Sequence, residues 1–404
     1  KCYWIEYYLD GQRKRERIGH SKLAAENRLE EAYEVSQSTN NFPEICGSIC
    51  PQDRLCEGNC VIEKGFESVT IGRVEKYITD VAWKKGWVKP VKPPKEIALS
   101  IGIIGSGPAG MAAGEQLRKK GYQVEIYDKY DRPGGLLIYG IPNFKLEKES
   151  VKRRTENLKK SGIKFHKNFT VGSTKSFDYL KKKHDALLIA TGVYKAREID
   201  ISGNKLLNVV PALDFLISSN KKGLGDQVPD FDSGKLNTKN KNVIVVGGGD
   251  TAMDCVRTSV RQGPKKVICL YRRNKENMPG SAREVSYAEE EGVNFSWLST
   301  PLKINGSSKV ETIEVAKVEL GKPDSSGRSS PNVLVNDTYR LKADIVIKAL
   351  GFNPEPLPKL FNCQNLQVTR WGTIKIDYKT MMTSLPGVFA AGDIVRGASL
   401  VVWA

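Results

Sequence analysis

Four of the chain's eight cysteines fall within fifteen residues, in CGSICPQDRLCEGNC, from Cys46 to Cys60. Cys46, Cys50, Cys56 and Cys60 follow a C-x3-C-x5-C-x3-C spacing, and Cys50 precedes Pro51. Zinc knuckles usually separate their cysteine pairs by about a dozen residues or more. These pairs are closer than that. Crowded thiols with a Cys-Pro step suit iron–sulfur chemistry, where one run can serve two clusters. Zinc and disulfides stand as the alternative readings, the latter disfavoured where thiols stay reduced. Cys2, Cys255, Cys269 and Cys363 are scattered and suggest no disulfide framework.

A second kind of chemistry sits in GSGPAG, which supplies Gly105, Gly107, Ala109 and Gly110 in a G-x-G-x-x-G pattern. The apolar run SIGIIG leads in as a strand, and PAGMAAGEQLRKKG leads out as a helix ending at Gly121. In that setting the first glycine permits a tight turn. The second lets the backbone approach a pyrophosphate, and the third lets helix and strand pack closely. The positive helix N-terminus then faces the phosphates. Asp128, 18 residues past Gly110, closes the strand QVEIYD, where a carboxylate accepts from ribose hydroxyls.

The pattern returns in NKNVIVVGGGDTAMDCVRTSVRQGPKKVICLYRR. Gly247, Gly249 and Ala252 form G-x-G-x-x-A, with Asp250 and Thr251 opening the helix. The second strand ends in Arg272 and Arg273, with Arg272 20 residues past Ala252. An acid there would bind the 2′-hydroxyl of NAD, whereas arginine can pair with the 2′-phosphate of NADP. The site reads as NADPH-selective; the competing reading is two solvated surface arginines. Two such turns in one chain suggest a flavin at one and a nicotinamide at the other, with hydride donor and acceptor brought together.

These residues need elements to position them. Residues 1 to about 40 read as charged and helical, with Leu29, Ala32 and Tyr33 at helical spacing. A second helix follows the cysteines in VTIGRVEKYITDVAWKKGW, and VKPVKPPKE reads as a linker. The expected fold class is α/β: an N-terminal helical iron–sulfur domain, then two Rossmann-like dinucleotide-binding domains, the second inserted in the first; a resemblance to two-domain flavoproteins implies that the inserted one is the NADPH domain and its host the FAD domain. The expected bounds are 1–96 for the iron–sulfur domain and linker, 97–236 and 346–404 for the FAD domain, and 237–345 for the NADPH domain. HDALLIATGVYKAR, ADIVIKALGF and GVFAAGDIV read as buried strands, about 218–240 as loop-rich, and about 303–340 as a polar hairpin or two.

Composition narrows the class. No run of about 18 apolar residues exists to span a membrane, and no secretory signal opens the chain. A cytoplasmic location is expected. The net charge of +17 is spread along the chain, with modest clusters in RKRER and LKKKH, and no nucleic-acid-binding signature accompanies it. Solvated faces and an acidic protein partner explain it better. The chain begins at Lys1 and stops in GASLVVWA, which reads as a helix just begun, so it is taken as part of a longer one.

LLIATG, holding Thr191 and Gly192, and GVFAAGDIV, holding Gly392 and Asp393, resemble the two-dinucleotide-binding-domain flavoproteins. The resemblance implies FAD in the first unit and NAD(P)H in the second, with Gly392 and Asp393 at the flavin's ribityl–phosphate region. Thioredoxin and glutathione reductases of that family pass electrons to a C-x-x-C or C-x4-C disulfide, and no such pair stands here. Cys255, alone in TAMDCV, reads as a buried helix residue.

A more specific resemblance covers about residues 25–404. NNFPEICGSICPQDRLCEGNC, VTIGRVEKYITD, GGLLIYGIPNFKLEK, GGGDTAMDCVRT, NMPGSAREV and MMTSLPGVFAAGDIVRGASLVVWA are similar to the small (β) subunits of bacterial NADPH-dependent glutamate synthase. Dihydropyrimidine dehydrogenase and NADH-dependent ferredoxin:NADP oxidoreductases share the module. The resemblance implies two [4Fe-4S] clusters held by two cysteine runs, the second being Cys46–Cys60. Glu75, in IGRVEKY, stands where Gln or Glu replaces a cysteine ligand in some relatives; its competing reading is an exposed helix glutamate. Gly135 and Leu136, in GGLLIYG, join the cofactor-binding set. The family's first run, C-x2-C-x4-C-x3-C-P, is expected before residue 25, where this sequence has Cys2 alone, too few cysteines for two full clusters.

The implied function is electron input. NADPH reduces FAD, and the clusters relay electrons to a large (α) subunit that makes glutamate from glutamine and 2-oxoglutarate, within a hetero-oligomer. No catalytic acid or base is expected, because hydride transfer depends mainly on positioning. A ferredoxin-type or other acceptor is the alternative. A non-catalytic nucleic-acid-binding role is opposed by the intact glycines and Asp128.

Overall fold

The computed structural model describes residues 28–61, 65, 67–323 and 329–403, and the backbone of 3–9 and 12–18. It forms two compact units, Lys1–Pro90 and Val91–Ala404.

In the first unit, β1 (Tyr3–Leu9) and β2 (Gln12–Ile18) pair antiparallel as a hairpin, with Leu9 opposite Gln12. The helical reading of the first 40 residues fails over this hairpin and holds over Leu29–Thr39, where Leu29, Ala32 and Tyr33 lie. YWIEYYL is dominated by aromatic residues, which favour the pleated surface of a strand. The expectations placed on Cys2 and on the RKRER side chains lie outside the described residues. Helices Leu29–Thr39, Pro43–Ile49 and Ile71–Lys85 follow. Pro43 starts the second of these at a position where its missing N–H costs nothing. Gly86, at φ +70°, stops the third with a left-handed cap. Tyr33, Ala82 and Val88 form a small core with Ile78, Trp83 and Trp87 against it.

The second unit holds two parallel five-stranded sheets. The first has the order β17-β6-β3-β4-β5. Its strands are β3 (Ser100–Ile104), β4 (Gln123–Tyr127), β5 (Lys164–His166), β6 (Ala186–Ile189) and β17 (Val388–Ala390). The second runs β8-β15-β9-β10-β11. It comprises β8 (Val209–Pro211), β9 (Asn242–Val246), β10 (Lys266–Leu270), β11 (Asn294–Ser296) and β15 (Ile345–Lys348). β9 and β15 are buried almost throughout, as strands covered on both faces must be.

The two sheets share one plan. The chain leaves the central strand, β3 or β9, through a helix to β4 or β10 on one side, and a later strand pairs on the other. The carboxyl ends of β3 and β6, and of β9 and β15, are therefore switch points, where open α/β sheets bind ligands.

Helices Ala212–Gly223, Asp250–Arg261 and Ala282–Glu290 cover one face of the second sheet through Phe215, Met253, Val256 and Val285. An antiparallel sheet of β12 (Ser299–Asn305), β13 (Thr312–Pro323) and β14 (Ser329–Lys342) covers the other through Ile304, Ile313 and Val315.

Two sequence boundaries move. β8 lies before the expected start of the inserted domain at 237, and β15 runs past its expected end at 345. β8 has three residues, too few for a periodic signal, and takes its place by pairing Val209 with Val346. Helix Ala212–Gly223 also occupies the start of the stretch read as loop-rich. The insert enters and leaves beside a short antiparallel pair, β7 (Lys195–Ala196) and β16 (Phe352–Asn353), with Ala196 opposite Phe352.

Candidate functional site

Both glycine turns sit at the switch points. Gly105 has φ +108°, and a Cβ there would lie 2.3 Å from the carbonyl oxygen of Ala190, at the end of β6. A Cβ on Gly110 would meet the Gly105 oxygen at 2.0 Å, so helix and strand touch through their backbones. Gly107 is the opposite case. It caps helix Pro108–Lys119, and nothing lies within 4 Å of the Cβ it lacks. The turn is closed behind and open in front of a helix N-terminus, the cradle that a phosphate needs.

Asp128 is buried and already engaged with this turn. Its Oδ2 accepts from the Ser106 N–H at 2.7 Å and the Ser106 hydroxyl at 2.6 Å. Its Oδ1 accepts from the Tyr130 N–H at 2.9 Å. The sequence reading gave this carboxylate to a ribose; the serine of GSG, which bridges acid and turn, was the missing signal. A carboxylate offers about four acceptor sites, so capacity remains for a sugar.

Other segments converge on the turn. The Gly134 N–H donates to the Ser106 oxygen at 3.0 Å, and a Cβ on Gly135 would lie 2.9 Å from Gly107 Cα. Leu136 opens the short helix Leu136–Tyr139. Gly392, at φ +76°, places its missing Cβ 2.8 Å from that of Ala109. Asp393 follows it, accepting from the Ser399 hydroxyl at 2.7 Å, and burial pushes its carboxyl above the ordinary range. Thr191 and Gly192 extend β6, and the Tyr194 ring lies 3.1 Å from where a Gly192 Cβ would sit. Tyr194 joins Tyr130 and Tyr139 in an aromatic group with ring centroids 6.2 and 5.3 Å apart along the series.

The second turn repeats the plan. Gly247 has φ +148°, and its missing Cβ faces the Ala349 oxygen at 2.2 Å. Gly249 caps helix Asp250–Arg261 with nothing within 4 Å of its own, and Thr251 and the buried Ala252 continue that helix. The NMPGSAREV segment folds onto this turn. The Gly280 N–H donates to the Gly248 oxygen at 2.9 Å, and the Ser281 N–H donates to Asp250 Oδ1 at 2.9 Å.

Register separates the two sites. In the first, Gly105 N–H binds Tyr127 O and Asp128 N–H binds His166 O. In the second, Gly247 N–H binds Leu270 O and Tyr271 N–H binds Ser296 O. Tyr271 therefore stands where Asp128 does, and Arg272 follows one step later, a correction to the spacing argument. Tyr271 lays its ring against Gly248 and donates its hydroxyl to Asn277 O at 2.8 Å, so a phenol ring stands at the register position that Asp128 takes in the first turn. Arg272 is exposed, and Arg273 donates from Nε to Ser329 O at 2.8 Å.

Two motifs that the sequence reading kept apart meet here. Lys145, of FKLEK, lies 2.8 Å from Asp254 and 3.5 Å from Glu284, of NMPGSAREV. Burial works against the Lys145 ammonium, yet the two carboxylates outweigh it and hold its pKa above the ordinary value.

In the first unit, Cys50 caps the helix Pro43–Ile49, its N–H donating to the Cys46 carbonyl, and a thiol contact with Cys50 followed by burial pushes the Cys46 thiol well up. Cys56 and Cys60 follow, and the Val69 N–H points at the Cys60 sulfur at 3.5 Å. Burial also pushes up Glu75, on the helix Ile71–Lys85. No disulfide forms among the described cysteines. Thiols, by their softness, suit iron and sulfur better than a hard cation. Among the described residues, no three metal-binding side chains converge tightly enough to hold one ion.

Residues 99–404 match the pyridine nucleotide-disulphide oxidoreductase family, and residues 19–87 match dihydropyrimidine dehydrogenase domain II, 4Fe-4S cluster. The glutamate synthase [NADPH] small chain of Azospirillum brasilense is 59% identical over 384 residues, covering 95% of this chain and 80% of that one. The chain belongs to the NADPH glutamate synthase small-chain family. The Escherichia coli small chain is 43% identical over 390 residues, covering 95% and 82%. Mycobacterium tuberculosis FprA in complex with NADPH shares the fold, with a TM-score of 0.64 at 20% identity over 77% of this chain and 81% of that one. This small-chain homologue is thus an oxidoreductase of FAD, NAD(P)H and 4Fe-4S type. No helix among its described residues is long and apolar enough to cross a membrane.

Proposed function

We propose that the first turn holds FAD, the second holds NADPH, and the chain feeds electrons to a glutamate synthase large chain in the cytoplasm. The observation that carries this is the pair of matched cradles at the two switch points. Bound FAD would supply the conversion of a two-electron hydride from NADPH into single electrons for iron–sulfur clusters.

The chain's own work is placement. Gly107 and Gly249 leave open backbone for each pyrophosphate, at helix N-termini that favour negative charge. Asp128 fixes the first turn through Ser106 and keeps lone pairs for a ribose. Gly135, Leu136, Thr191, Gly192, Gly392 and Asp393 would line the flavin beside it. Asp250, Thr251 and Ala252 carry the second helix away from its phosphates. Arg272, and more weakly Arg273, would meet a 2′-phosphate. Cys46, Cys50, Cys56, Cys60 and Glu75 would ligate iron–sulfur clusters.

The test is anaerobic NADPH oxidation by the chain co-expressed with a large chain. Oxidation that requires both glutamine and 2-oxoglutarate supports the reading. Flavin reduced by NADPH but never reoxidised by those substrates would overturn the assignment of acceptor.

A further inference from the structure

We infer that Lys145 is a positioning residue: its buried ion pair with Asp254 clasps the inserted nucleotide domain against the first and holds the GGGDTA turn in place for hydride transfer. The inference rests on the reading of that turn as the NADPH cradle.

Lys145 belongs to the first domain, between β4 and β5, and both carboxylates belong to the insert. The Lys145 side chain is only 10% exposed, Asp254 7% and Glu284 16%. Asp254 lies one turn beyond Asp250, on the helix whose open N-terminus is Gly249. Glu284 lies in the segment whose Ser281 N–H holds Asp250. One ammonium therefore grips both pieces of chain that build the cradle, without touching the cradle itself.

The surroundings make this grip selective. Arg257 pairs with Glu284 at 2.6 Å and Glu291 at 2.8 Å, and Arg261 pairs with Glu291 at 2.6 Å. Phe144, next to Lys145, stacks beneath both guanidiniums at 4.8 and 3.8 Å. Three cations, Lys145, Arg257 and Arg261, thus meet three carboxylates, Asp254, Glu284 and Glu291. Swinging the insert away would break an ion pair that is shielded from water, at a larger cost than breaking an exposed one. Asn220 to Tyr139 O at 2.8 Å and Arg132 to Asp226 at 2.6 Å also cross between the domains. Arg132 and Asp226 are 30% and 24% exposed, so water can replace their contact. The buried clasp has no such substitute. A misplacement of about 1 Å can cost on the order of 100-fold in rate, so the domain angle matters to a hydride donor.

The test uses the full chain with its flavin. In Lys145→Met, the limiting rate of flavin reduction at saturating NADPH should fall about 100-fold. The affinity for 2′,5′-ADP, measured by calorimetry, should stay within about twofold of wild type, and the charge-transfer absorbance on mixing with NADPH should disappear. Lys145→Arg should restore both rate and absorbance. Asp254→Asn, which keeps shape, should reproduce the loss and serves if the Met variant sheds its flavin. A Met variant with the wild-type rate and absorbance overturns the clasp alone. A parallel loss of 2′,5′-ADP affinity also overturns it, since Lys145 would then shape the cradle and not its placement. A wild-type chain that fails to bind 2′,5′-ADP overturns the cradle reading and the clasp with it.

Discussion

A Cβ on Gly47 would lie 2.2 Å from the carbonyl oxygen of Gly72, so two helices of the cysteine-bearing unit touch backbone to backbone. Gln52 seals the contact. Its Nε2 donates to Gly47 O at 2.7 Å and sits 2.4 Å from where a Gly72 Cβ would be. Cys46 and Cys50 flank Gly47 in sequence, and Glu75 follows Gly72 by one turn. Gly47→Ala is expected to overpack this joint, at a cost of about 1–3 kcal/mol. The purified variant should show a lowered iron-to-flavin ratio. A ratio equal to wild type would mean that the helix crossing does not organise the thiols.

Gly107 and Gly105 separate a binding effect from a folding one. Gly107 has an ordinary φ of −68° and free space around its missing Cβ, so alanine fits without strain. It would nevertheless occupy the ground that a phosphate approaches. Gly107→Ala should lower flavin content while leaving the melting temperature of the flavin-stripped chain unchanged. Gly105→Ala should lower that temperature outright. Gly249→Ala should raise the KM for NADPH and spare the flavin.

The paired arginines should not contribute equally. Arg272 is exposed at the end of its strand, whereas Arg273 is committed to Ser329 O. Loss of a hydrogen bond to a charged group costs about 1.5–3 kcal/mol. Arg272→Ala should therefore raise the KM for NADPH by roughly 10- to 100-fold, with Arg273→Ala milder. Steady-state kinetics with NADH should be unaffected in both. Equal losses with the two nucleotides would remove the 2′-phosphate from the explanation.

Glu125 predicts a pH dependence of stability. Burial pushes its carboxyl up, but Lys183, Tyr127 and His166 outweigh that and hold it at about 2, against an ordinary 4.5. A carboxyl depressed on folding stabilises above its unfolded pKa and loses that contribution as pH falls through the folded one. Wild type should exceed Glu125→Gln by about 1–2 kcal/mol at pH 6. The gap should close between pH 4.5 and about 2 in denaturant melts. A gap independent of pH would assign the loss to packing.

The sequence carried both glycine turns because strand, turn and helix are contiguous there, and each residue's neighbours supply its signal. It carried less where a partner lies far along the chain. β8 is a strand only because β15 pairs with it. The Asp128–Ser106 bond spans 22 residues and the Lys145–Asp254 pair spans 109, and no periodicity encodes either. The first hairpin was hidden for another reason: the charges of β2 obscured the aromatic preference of β1.

The β7–β16 pair has a consequence for how such a chain can be assembled. Because Ala196 and Phe352 face each other, the chain passes into the insert and back out through two adjacent strands, like a drawer on one pair of runners. Replacing everything between them with a short turn would leave all five strands of the host sheet uncut. On the proposed reading, the residues that would set nicotinamide specificity all lie between these two points, as a detachable cartridge. A cartridge from another family member could be exchanged at these two points, provided that it brings an acid to meet Lys145.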